Sequence, residues 1–155
     1  MAITKLVADS ITSGAIANTP AFRAYMSSNQ SITSATTTKV NLDSVTFDTN
    51  SAFDTSNYKF VVPSGQAGKY FFYSQMRKGV SASSLTLIYF YVNGSAKGYV
   101  RLTSSNQESN QISGTFDLSV GDYVEVYFYD NGTSPSILSN ADQYSYFTGY
   151  KLIGV

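Results

Sequence analysis

The sequence predicts an all-β protein, a sandwich or jelly roll, and three observations carry that prediction. Charged residues make up only 13% of the chain while Ser, Thr, Asn and Tyr are abundant, a composition that suits exposed strands and turns and leaves helix surfaces without their usual Glu and Lys. Apolar and aromatic residues recur in short alternating runs bounded by Gly, Asn, Asp or Ser. Between such runs stand Asn93-Gly94 and Gly121-Asp122, residue pairs that tolerate the positive φ of tight turns.

The elements follow in order. The opening stretch MAITKLVADSITSGAIANTP scatters Ile3, Leu6, Val7, Ile11 and Ile16 among small residues. It has no continuous apolar run of signal-peptide type, and its texture differs from the rest, so residues 1–19 read as an extended arm and 20–155 as one domain. AFRAYM is the first strand candidate, followed by the paired stretches around KVNLDSVTF and YKFVV. KYFFYSQM, behind Pro63, Gly65 and Gly68, alternates so that Tyr70 and Phe72 face the core and Phe71 and Tyr73 face the other way.

LTLIYFYV and GYVRLTS flank Asn93-Gly94 as a hairpin, with a turn of up to about four residues. ISGTFDLSV and DYVEVYFYD flank a tight reversal at Gly121-Asp122. In the second of these strands Val124, Val126 and Phe128 share the inward face, and Tyr123, Glu125, Tyr127 and Tyr129 the outward one. YSYFTGYKLIGV closes the chain. Helix content is expected close to nil, and no solenoid repeat, collagen triplet or heptad is present.

At 155 residues the chain is long enough for one self-standing core. Lys+Arg and Asp+Glu are both 10, so there is no basic stripe for a nucleic acid and no bulk charge for a membrane surface. No apolar run approaches a membrane span. The chain has no Cys and no His, which removes disulfides, thiolate chemistry, imidazole-based triads and the commonest metal ligand.

Other chemistry has thin support. A glycosidase can work with two carboxylates, but Asp43, Asp48, Asp54, Asp117, Asp122, Glu125, Asp130 and Asp142 sit mostly at turns or strand ends, where Asp satisfies backbone amides. Calcium takes oxygen ligands from loops; the candidates are Asp130, Asn131 and Asp142, with Asp48, Asn50 and Asp54 in a second loop, and neither loop has dedicated calcium spacing. No other cofactor is expected. The glycines at 65, 68, 79, 94 and 98 precede no helix and read as turn residues, not as a phosphate cradle.

The ordered motifs resemble the globular head family of complement component 1q, within the tumour-necrosis-factor-like jelly rolls. AFRAY at 21–25 is similar to that family's opening strand. Phe47, Asn50, Tyr58, Phe60, Pro63, Gly68, Tyr70 and Phe72 follow its longest signature, with extra residues between Pro63 and Gly68. YVNG, FDLSVGDYVEV and YFTGYKLI resemble its later turn and strands. The resemblance spans roughly residues 20 to 155 and implies a jelly roll of about ten antiparallel strands that assembles as a homotrimer.

Animal members carry a signal peptide, a collagen or coiled-coil stalk and cysteines, none of which is found here. The chain is more similar to the bare heads found among bacteriophage virion structural proteins. That likeness implies a non-enzymatic head fibre, capsid decoration or tail-associated knob on the virion surface. Ile3, Leu6, Val7, Ile11 and Ile16 of the arm would attach to capsid or tail proteins, and loops near 104–111 and 131–142 would contact host surface glycans.

In the implied jelly roll the strands at 21–26, 69–76, 112–120 and 144–153 share the sheet facing the threefold axis. Tyr25, Phe71, Tyr73 and Tyr146 then point away from the core into the trimer contact. The alternatives are a bacterial secreted or surface carbohydrate-binding or adhesion module, and a carboxylate-dependent glycan hydrolase.

Overall fold

The structure, a computed structural model, describes residues 19–79, 84–104 and 107–153. They form two antiparallel sheets packed face to face, with one 3-10 turn at Thr49–Ser51. The first sheet contains β1 (Ala21–Tyr25), β2 (Gln30–Ser31), β4 (Ser44–Asp48), β7 (Gly68–Lys78), β10 (Ser109–Leu118), β12 (Ser136–Leu138) and β13 (Tyr146–Lys151). The second contains β3 (Thr38–Lys39), β5 (Phe53–Asp54), β6 (Lys59–Val61), β8 (Ser84–Val92), β9 (Ser95–Ser104) and β11 (Tyr123–Asp130). The excess over ten strands comes from fragments: β2, β3 and β5 are two residues each.

In the first sheet β7 is central, with β10 on one side and β13 followed by β12 on the other. Beyond β13 lie β1 and the edge strand β4. The four strands expected to share a sheet do so. In the second sheet β11 pairs with β8 and β6, and β9 is an edge.

The hairpin turn is two residues long, because Val92 pairs with Ser95 while Asn93 and Gly94 take φ of 50 and 76; their twist matches that of the flanking strands. Two expectations change. KVNLDSVTF and YKFVV do not pair with each other: β4 pairs with β1, whereas β6 pairs with β5 and β11. The segment between them crosses the sandwich, and Phe53 in that segment and Phe60 in YKFVV both point inward onto the ring of Phe22, each 5.1 Å away. Likewise the Gly121-Asp122 reversal joins β10 to β11 across the sandwich, with Gly121 N and Val62 O 3.0 Å apart securing the crossing.

The core follows the alternation. Tyr70, Phe72, Val124, Val126 and Phe128 are buried as expected, together with Phe22, Phe60, Ile88, Phe90 and Phe147. Phe147 meets Phe22 edge-on at 4.9 Å, an arrangement the ring quadrupoles favour. Burying each such side chain contributes about 1.5–3 kcal/mol. Among the described residues no helix is long and apolar enough to cross a membrane.

Candidate self-association face

Period-two alternation fixes what the first sheet shows to the outside. Phe22 and Ala24 point in from β1, so Arg23 and Tyr25 point out; Phe71 and Tyr73 from β7 and Tyr146 from β13 do the same. Register brings them together. Tyr25 pairs with Tyr146, and Tyr146 with Gln75; one step along, Thr148 pairs with Tyr73 and Tyr150 with Phe71. The rings of Tyr73 and Tyr146 are 5.8 Å apart and those of Phe71 and Tyr150 5.5 Å.

The Arg23 guanidinium lies 3.7 Å over the Tyr146 ring, a cation–π placement. Its Nη2 donates to the Asp142 carbonyl at 2.6 Å, and its Nε is 3.5 Å from the Asp142 carboxylate. Tyr73 is partly withdrawn from water between its neighbours. That burial, helped by the hydrogen bond and charge of Tyr146, pushes its phenol up to about 12.

All four candidates therefore lie on one half-buried face, and two further aromatics extend it. Tyr150 is legible by stepping from Tyr146 through Thr148. Phe47 matches a family signature position, which says nothing about exposure; as the partner of Arg23 on an edge strand it is 46% exposed. At the far side an open depression is lined by Tyr73, Gln111, Ile112, Ser113 and Val100 of β9.

A second aromatic surface covers the other sheet. Tyr91 and Tyr127 have rings 4.2 Å apart, and Tyr89 lies 5.6 Å from Tyr99, which is 62% exposed. The ammonium of Lys59 sits 4.5 Å from the Tyr123 ring, and Lys39 pairs with Glu125 at 2.5 Å. Alternation in DYVEVYFYD marks Tyr123, Tyr127 and Tyr129 as outward. It cannot say that β8 and β9 lay Tyr89, Tyr91 and Tyr99 beside them, since that depends on long-range register.

The carboxylates are occupied by the protein itself. Asp48 accepts from Ala52 N and Phe53 N. Hydrogen bonds from Asn57, with smaller contributions from the Ser56 amide and the charge of Lys59, hold Asp54 below its ordinary value. Asp122 is lowered by the Ser119 amide and then by Asn93. For Asp43 the desolvation that would raise it is outweighed by bonds from Ser27 and Ser44.

The calcium candidates do not converge. Asp130 is buried beside Lys78, Asn131 Oδ1 accepts from Leu85 N at 2.7 Å, and Asp142 serves Arg23 and Thr46. Among the described residues no group of three or more acidic side chains could hold a metal ion. The loop near 131–142 is folded back onto the sandwich, with Ser139 N donating to Asn29 Oδ1 at 2.7 Å. Ile3, Leu6, Val7, Ile11 and Ile16 lie outside the described residues, as do residues 105 and 106 of the other loop.

No protein-family model and no curated protein matches the chain. Among solved structures, murine APRIL at pH 8.0 is similar with a TM-score of 0.62 at 18% identity, over 86% of this chain and 98% of that one. The globular domain of zebrafish complement 1qA protein is similar with a TM-score of 0.55 at 18% identity, over 86% and 97%. The chain thus has the complement 1q and tumour-necrosis-factor-like jelly-roll fold; at this identity the likeness establishes the fold alone.

Proposed function

We propose that this chain is a non-enzymatic structural knob that assembles as a homotrimer on the surface of a bacteriophage particle, held there through its N-terminal arm. The observation that carries the self-association is the continuous face of Phe47, Arg23, Tyr25, Tyr146, Tyr73, Tyr150 and Phe71 on the first sheet. A monomer gains nothing from keeping such a patch in water, and contiguous aromatic surface of this kind marks contact sites.

On the edge strand β9, Tyr99 on the outer face of the second sheet offers a second exposed apolar spot. A contact between two different patches is heterologous and closes into a ring when the rotation fits. Burial there stabilises the assembly by about 25 cal/mol per Å2 of apolar area. The choice of threefold symmetry and of a phage particle rests on the sequence resemblance. Three copies would also make weak contacts with host glycans effectively tighter through avidity.

A second reading, a bacterial carbohydrate-binding or adhesion module, is favoured by the tyrosine surface of the second sheet, whose rings and hydroxyls suit sugar stacking and hydrogen bonding. Sedimentation at micromolar concentration tests assembly: a trimer is expected, and a sharp monomer would refute it. Electron microscopy of phage particles labelled with antibody against this chain tests location. Label absent from particles while the purified trimer retains glycans on an array would favour the module.

A further inference from the structure

At one end of the sandwich the core changes character. Inward positions that elsewhere hold Phe, Ile or Val hold Lys78, Ser84, Thr86, Asn110 and Asp130, all buried. Thr86 stands opposite Asp130 in the β8–β11 ladder and shares hydrogen bonds with Asn110. Lys78 Nζ donates to Ser84 Oγ at 2.6 Å and lies 3.9 Å from Asp130 Oδ2, the two side chains being 0% and 1% exposed. Lys78 ends β7 in the first sheet and Asp130 ends β11 in the second. The pair therefore reaches across the interior between strands that share no ladder.

As an ion pair this arrangement is poor. Removing two charges from water costs several kcal/mol per ion and is offset only by excellent geometry with every lone pair satisfied. At 3.9 Å the contact is beyond hydrogen-bond length, and Oδ2 has no hydrogen-bond partner among the described residues. Oδ1 is held, accepting from Gly132 N at 2.7 Å. One carboxyl oxygen is anchored and the other is left beside a buried amine.

We propose that Lys78 and Asp130 condense to an intramolecular isopeptide bond that staples the two sheets. Nζ bonds to Cγ of Asp130 and the Cγ–Oδ2 bond breaks. The two hydrogens that nitrogen sheds leave with Oδ2 as one water, so ammonium and carboxylate become a neutral amide without oxidant or cofactor. The first step is passage of a proton from nitrogen to Oδ2, which a site closed to bulk solvent favours because it removes both charges. Gly132 N–H is already on Oδ1, the oxygen that carries negative charge in the addition intermediate, and acts there as an oxyanion donor. Ser84 Oγ fixes the amine and can pass its proton on. The fold holds the reactants in place, supplying the orientation that an encounter in solution lacks. In a chain without cysteines, the staple would constrain the unfolded state as a disulfide does.

The test is the intact mass of the purified, folded full chain, expected about 18 Da below the sequence mass from the lost water. Digestion is expected to yield a branched peptide joining Lys78 to Asp130, and Lys78→Met and Asp130→Ala each to return the full mass of their sequences. The wild-type branched peptide decides the matter even if neither variant folds. Wild-type protein at its full sequence mass overturns the proposal and leaves an ion pair; so does a mass loss that maps elsewhere, such as to Asn93-Gly94 or Asn131-Gly132.

Discussion

Gly149 on β13 and Phe72 on β7 are directly opposed in the ladder, and the Phe72 ring lies over the place where a side chain at 149 would begin. A Cβ there would overlap ring carbons of Phe72 and stand 3.0 Å from Phe22 Cε1. Both rings belong to the aromatic centre of the core and have no room to retreat. Gly149→Ala is therefore expected to destabilise the fold by about 1–3 kcal/mol, the usual cost of overpacking. Gly98→Ala, whose Cβ would meet nothing within 4 Å, is expected to be near neutral. Urea unfolding of the two variants beside the wild type makes the comparison.

The outward aromatics of the first sheet call for a substitution that spares the core. Phe71 alternates with the buried Tyr70 and Phe72, so Phe71→Glu adds charge to the face without touching the interior. The variant is expected to sediment as a monomer with an unchanged far-UV circular dichroism spectrum. Tyr129→Ser, on the outward face of the second sheet, is expected to leave the assembly intact. If Phe71→Glu remains as large as the wild type, the contact lies elsewhere on the molecule.

What was legible in the sequence was whatever depends on neighbours along the chain. Alternation in GKYFFYSQ sorted Tyr70 and Phe72 from Phe71 and Tyr73, and Asn93-Gly94 announced its hairpin through the positive φ both residues accept. Long-range pairing was less visible. Nothing local says that YKFVV joins the second sheet while KVNLDSVTF supplies an edge of the first, or that Phe47 is left exposed there. The buried Lys78–Asp130 pair was hidden for a further reason: a charged residue at a strand end reads as solvated until the opposite sheet is seen to close over it.

Stability is expected to fall at both ends of the pH scale. Burial pushes the Tyr70 phenol up to about 12 from 10.0, and Tyr73 is raised to about 12 as well. Between those values the unfolded chain has lost protons that the native state keeps, so stability is full below about pH 10 and is lost as pH rises through about 12. For the fully buried Tyr70 the loss is on the order of 2–3 kcal/mol, at about 1.36 kcal/mol per pKa unit. At the acid end the sign reverses. Asp43, Asp54 and Asp122 are lowered from 3.8, so their contribution is present above that value and is lost as pH falls below it. Chemical unfolding across the pH range, with phenolate absorbance followed at the alkaline end, checks both limbs.

Asn93 ties the β8–β9 hairpin to the crossing between the sheets. Its carboxamide donates to Asp122 Oδ1 at 2.7 Å and accepts from Tyr123 N at 2.9 Å, while Asp122 Oδ2 accepts from Ser119 N at 2.7 Å. Asn93 also sits at φ 50, where a residue without a short polar side chain costs about 1–2 kcal/mol. Asn93→Ala therefore loses backbone fit and both bonds, and is expected to cost more than Gly94→Ala. Gly94 pays only for its φ of 76, since the nearest atom to an added Cβ is 3.5 Å away. In a double-mutant cycle Asn93→Ala and Asp122→Ala are expected to couple by about 0.5–1 kcal/mol, because either change removes their shared bond. Strict additivity would mean that the two turns are held independently and that the bond between them contributes nothing.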